Sequence, residues 1–165
     1  MGIVSFIHKI NLLELQSLVV PSAPRTRLVM SEKQLIRQAE QQAQRQLKIV
    51  YECQNLINTT VKPDVFFNRY DLIKEKADFL VKLSPYVKFK GTKPRTMVTT
   101  LKAKEQAAIA DFLSRYYRSV DDKVETLKTD KAKANQYQKY YESLQPYYPR
   151  MNDENRKYIE DRKPQ

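Results

Sequence analysis

Only two glycines occur among 165 residues. Glycine supplies the positive φ of tight hairpins and the close backbone approach of phosphate loops, so sheets of hairpins and glycine-rich nucleotide loops lack their usual residue. Cysteine is scarcer still. Cys53 stands alone, so no disulfide can form within the chain and no cysteine-based metal site can be built. That fits a reducing, cytoplasmic compartment. His8 is the only histidine and tryptophan is absent. A Cys–His or Ser–His nucleophilic device would have to use His8, which lies on a different helical stretch from Cys53. Zinc lacks ligands. No apolar run reaches the roughly 18 residues that span a membrane. The first ten residues hold one lysine, and no small-residue cleavage site follows the apolar stretch, so no secretory signal is expected. Phe6 stands where a myristoylated chain would carry Ser or Thr.

What is abundant is charge of one sign. Lys and Arg number 30 against 19 Asp and Glu, a formal charge of +11. A field of that sign favours acidic partners: an acidic protein face, nucleic acid or anionic lipid. Gln, Lys, Glu, Leu and Ala are plentiful, and all favour helices.

Apolar residues recur at helical spacing along the whole chain. Ile3, Phe6, Ile7, Ile10, Leu13 and Leu18 mark an amphipathic helix within residues 1–20. Pro21, Ser22 and Pro24 open a linker over 21–30. Ser31 and Gln34 have the spacing of a capping box, which starts a helix running to about Ile57. Pro63 suits a first helical turn, and Asp64 there complements the helix dipole. The helix after it carries Phe66, Tyr70, Ile73, Ala77 and Leu80 on one stripe and Val65, Leu72, Phe79 and Leu83 on another. Apolar on two sides, it is expected to be the central helix. Ser84-Pro85 stops it. Further helices are expected from about Thr96 to Lys128, from Asp130 to Gln145, and from Asn152 to near Arg162. The fold class is therefore all-α: an antiparallel bundle of five to six helices over 31–165 with a separable N-terminal amphipathic helix.

The segment Asn58-Thr59-Thr60-Val61-Lys62-Pro63-Asp64-Val65-Phe66-Phe67-Asn68-Arg69-Tyr70-Asp71 resembles a helical domain carried by many proteins of Gram-positive bacteria. Ile109, Asp111, Phe112, Arg115 and Tyr116, then Leu127-Lys128-Thr129-Asp130-Lys131, are similar too. The resemblance covers roughly residues 31–145. It implies a bacterial, helical, single-domain protein, and the family has no assigned activity to carry over. Within it, Arg69, Tyr70 and Asp71 are read as a buried or half-buried network that fixes the central helix.

Asp121, Asp122 and Glu125 share one helical turn with Arg118, Lys123 and Lys128 around them, so exposed ion pairing outweighs magnesium binding. No catalytic residue, metal site or cofactor is assigned. Eight of the eleven tyrosines fall from Tyr116 onward, a bias that suits a core rim or an interface. The most suggestive stretch is basic. Lys82, Lys88, Lys90, Lys93 and Arg95 occur with no intervening acid, and Tyr86 and Phe89 lie among them. Such a segment can contact carboxylates or phosphates, and an aromatic ring beside it can stack on a base. The resulting expectation is a non-catalytic helical module that binds another protein, with an acidic face. The alternative is a nucleic-acid-binding accessory protein that contacts phosphates through residues 82–95. A peripheral protein on an anionic membrane, anchored by residues 3–19, is the third reading.

Overall fold

Ser31 and Gln34 start the first long helix reciprocally. The Gln34 backbone N–H donates to Ser31 Oγ at 3.2 Å, and the Ser31 N–H donates to Gln34 Oε1 at 2.9 Å. Two donors that the helix cannot satisfy itself are thereby used. The structure is a computed structural model, and it describes residues 12–165. All regular structure among those residues is helical. Helix α1 covers 12–19. It is followed by α2 (Glu32–Thr59), α3 (Pro63–Leu83), α4 (Pro94–Glu125), α5 (Asp130–Leu144) and α6 (Asp153–Glu160). A 3₁₀ segment, Gln145–Arg150, links the last two, where Pro146 and Pro149 deny the backbone donors that an α-helix needs. No described helix is long and apolar enough to cross a membrane. His8 and the apolar residues Ile3 to Ile10 lie outside the described residues.

The helix ends follow local chemistry. Pro63 sits at the first position of α3 and Pro94 at that of α4, where no N–H is missed. Thr129 caps α5 by accepting from the Ala132 N–H at 3.1 Å, and Asn152 caps α6 through Asn155 N at 2.9 Å. Helix α4 starts two residues before the expected Thr96 and ends at Glu125 instead of Lys128. Pro94 extends its start, and the turn around Leu127, whose N–H donates to Val124 O, ends it.

The chain forms two compact units. Among the described residues, the first comprises 12–52 together with Ile73–Thr99, and the second Cys53–Leu72 with Thr100–Gln165. In the first, Leu12, Leu15, Val19, Leu35, Ala39, Ala43, Val50, Ile73, Ala77, Leu80 and Leu83 are buried. Gln16 is buried with them at 1% exposure. Its amide donates to Arg27 O at 2.8 Å and accepts from Val29 N at 2.7 Å. The segment 21–30 is irregular, and this one side chain ties it back onto α1.

The second unit is built on aromatic rings. Phe66 and Phe112 stack with centroids 4.6 Å apart, and Phe66 meets Phe67 edge-on at 5.1 Å. Phe67 in turn stacks on Tyr147 at 4.4 Å. Such pairs are worth about 0.5–1.5 kcal/mol each beyond their burial. Tyr116 and Tyr117 are buried here, and Tyr116 donates to Tyr140 O at 2.8 Å. The C-terminal tyrosines thus pack into this unit's core and its rim.

Candidate functional site

The connection between α3 and α4 is short, and local bonds shape it. The Ser84 hydroxyl donates to Val81 O at 2.6 Å and the Tyr86 N–H to Leu83 O at 2.9 Å, closing the end of α3. Gly91 carries φ +84°, the one positive φ among the described residues, and only glycine adopts that region without strain. Buried Pro94 then restarts the chain as α4. This geometry leaves Lys88, Lys90, Lys93 and Arg95 exposed, while Tyr86, Val87 and Phe89 are half-buried.

Two hollows flank the segment. One, of about 510 Å³, is lined by Ser84, Val87, Lys88, Phe89, Lys93, Pro94, Arg95 and Thr96. The other, of about 520 Å³, lies between Tyr86–Lys90 and the α2 residues Glu40, Ala43, Gln44 and Leu47. Val87, Lys88 and Phe89 belong to both. Of the residues singled out in the sequence, Lys88, Phe89, Lys93 and Arg95 therefore meet around the first hollow, and Lys90 joins Lys88 and Phe89 at the second. Lys82 is not among them. It lines a separate hollow with Gln46, Glu75, Lys76, Asp78 and Phe79, where two carboxylates share its surroundings. Val87 and Pro94, which carry neither charge nor an aromatic ring, add apolar lining to the first hollow. Tyr86 is already engaged: burial and Glu14 beside it push its phenol up to about 12, and its hydroxyl donates to Glu14 Oε2 at 3.4 Å.

Charge is distributed unequally between the two units. Among the described residues, the first unit carries 13 Lys and Arg against 6 Asp and Glu, net +7, and the second 16 against 13, net +3. Residues 79 to 104 contain no acid at all. Most of the excess cation thus belongs to the unit that holds the two hollows.

The motif residues serve the second unit. Phe66, Phe67 and Tyr70 are buried, Pro63 is half-buried and Asp64 exposed. The Tyr70 hydroxyl donates to Leu101 O at 2.5 Å. The expected buried network of Arg69, Tyr70 and Asp71 takes a different form. Arg69 and Asp71 are both exposed. Asp71 nevertheless pairs with Arg150 at 2.8 Å, and the same guanidinium reaches Glu105 at 2.8 Å while lying over the Phe67 ring. Arg115, on α4, donates to Ile57 O at 2.6 Å and to Thr60 O at 3.4 Å.

Cys53 is buried at 3% exposure. Asp121, Asp122 and Glu125 are exposed, and Asp121 accepts from the Tyr137 hydroxyl at 2.6 Å. Among the described residues no cluster of three or more His, Cys, Asp or Glu could hold a metal ion. Comparison with family models, with characterised proteins and with solved structures gives no match.

Proposed function

We propose that the protein is a non-catalytic helical module that binds the acidic face of another protein through the basic connection between α3 and α4. One observation carries the reading: Lys88, Lys93 and Arg95 stand exposed around a single hollow, in the unit that holds most of the excess positive charge. Cations on an exposed rim steer an acidic partner and set its orientation. The tyrosines offer less to a partner than their number implies, since Tyr116, Tyr117, Tyr141, Tyr147 and Tyr148 are engaged within the second unit. Buried Cys53 presents no thiol for chemistry.

A cytoplasmic location and descent from the Gram-positive helical family belong to the same proposal. The location is supported by Cys53, the one cysteine, which stands unpaired, and the family by contacts among the resembling residues. Arg115 closes the end of α2 next to Thr60, and Phe66 stacks on Phe112.

A second reading, nucleic-acid binding, draws on the acid-free stretch 79 to 104 with Phe89 inside it. Fluorescence anisotropy with labelled single- and double-stranded DNA and RNA near physiological salt separates the two. Absence of micromolar binding to any of them is expected. Micromolar binding that weakens steeply with salt, the mark of phosphate contacts, would replace the first reading with the second.

A further inference from the structure

The acid-free hollow at the start of α4 differs from its neighbours in its lining. The hollow beneath Tyr86–Lys90 includes Glu40, and the one at Lys82 includes Glu75 and Asp78. The third has no carboxylate. Val87, Phe89 and Pro94 supply apolar surface, and Lys88, Lys93 and Arg95 supply the charge. Its volume, about 510 Å³, falls within the roughly 300–1,000 Å³ of ordinary ligand clefts.

Each class of partner would use that lining differently. Phosphates along a nucleic-acid backbone need only the cations, and they leave the apolar surface wet. A base needs a ring face free to stack, whereas Phe89 is half-buried as a wall shared by two hollows. A protein segment with one large apolar side chain between carboxylates uses both components. Its anchor covers Val87, Phe89 and Pro94, and its acids meet the cations around them. Apolar anchors that fill a pocket inside a polar rim dominate protein interfaces.

We infer that this hollow is a docking site for a protein segment in which a single aromatic or large aliphatic side chain is flanked by Asp or Glu. The inference rests on the acidic-partner reading above and adds the anchor to it. The anchor supplies affinity and the flanking charges supply orientation and on-rate.

The test uses the full chain and three labelled synthetic peptides, each read by fluorescence anisotropy. The first has one Phe between short runs of Glu. The second replaces that Phe by Ser, and the third replaces every Glu by Gln. Oligo-dT of matched charge is the competitor. The inference expects the first peptide to bind at least about tenfold more tightly than the second, which is the order expected for burying one large apolar side chain. It also expects the third peptide to bind weakly. Lys93→Glu, at an exposed position, should weaken the first peptide without altering the helical circular dichroism. Equal binding of the Phe and Ser peptides would overturn the anchor and leave the acidic-partner reading standing. No binding of either acidic peptide would overturn both. Displacement of the first peptide by oligo-dT at lower concentration than by unlabelled peptide would assign the hollow to nucleic acid instead.

Discussion

The guanidinium of Arg115 donates to the carbonyl oxygen of Ile57 at 2.6 Å, across 58 positions of sequence. Ile57 lies in the last turn of α2, where carbonyls have no partner further along the helix. That turn carries no basic residue of its own. Arg115 supplies from α4 the positive charge that a helix C-terminus favours, and a second contact to Thr60 O holds the residue after the helix. Arg115→Ala should therefore cost about 1.5–3 kcal/mol, the range for hydrogen bonds to charged groups. Urea denaturation followed by circular dichroism measures it. Arg115→Lys should recover only part: both bonds come from the terminal Nη2, whereas the lysine ammonium sits closer to its own backbone and is more strongly hydrated. Full recovery by lysine would show that charge alone matters there.

Phe66→Ala tests the aromatic core. Phe66 is 1% exposed, stacked on Phe112 and edge-on to Phe67. The expected loss is about 3–5 kcal/mol, for burial plus a cavity that the neighbouring rings cannot close. A loss below about 1 kcal/mol would place the core elsewhere.

The boundary at residues 21–30 has a measurable cost. Leu15 is fully buried, and Leu12 and Val19 are 5% and 8% exposed. Leu15→Ala is expected to destabilise by about 2–5 kcal/mol. Gln16→Ala should lose about 1–3 kcal/mol, because Arg27 O and the Val29 N–H lose their partner. An unchanged denaturation midpoint in both variants, and a cooperatively folded chain beginning at Ser31, would show that α1 is as separable as its sequence implies.

Alkaline pH gives an independent check on the tyrosines. Burial, with Glu105 adding to it, raises the Tyr70 phenol to about 12. The hydrogen bond to Asp121 raises Tyr137 to about 12 as well. A group whose folded pKa is raised contributes stability that is complete below its unfolded value, near 10 here, and is lost as pH rises through the folded value. Stability should thus decline between about pH 10 and 12. Ultraviolet absorbance of tyrosinate should lag behind that of the urea-unfolded chain. At the acid end, the hydroxyls of Tyr148 and Tyr141 both donate to Glu160 Oε1 at 2.8 Å and hold that carboxyl below its ordinary value. Their contribution is present above the unfolded carboxyl value and is lost as pH falls through the folded one. Coincident tyrosine titration in the folded and unfolded chains would contradict these placements.

Local patterns in the sequence account for most of the helical architecture. Ser31 and Gln34, Pro63 and Asn152 each mark a helix start through chemistry confined to a few residues, so they are readable along the chain. The Phe66–Tyr70–Ile73–Ala77–Leu80 stripe is readable for the same reason, being a period of one helix. Long-range polar partners leave no such trace. Arg150 pairs with Asp71 and Glu105, 79 and 45 positions away. Nothing near Arg69-Tyr70-Asp71 announces that Arg150 will draw Asp71 into an exposed pair. Gln106 accepts from the Asn155 side chain at 3.0 Å, and both read as ordinary helix residues. At the candidate site, the cations and Phe89 were legible as a charge run with a ring. The apolar lining by Val87 and Pro94 was not, because it arises from where the turn at Gly91 folds the chain.

The basic connection is tested most directly by capture from the native host. Full-length protein and the variant Lys88→Glu/Lys90→Glu/Lys93→Glu are immobilised side by side and exposed to extract with and without nuclease treatment. The three positions are exposed, so the variant should keep its helical spectrum. The account predicts that the unaltered protein retains one acidic protein in stoichiometric amount and that the variant retains none. Equal recovery by both, or recovery that disappears with nuclease, would contradict it.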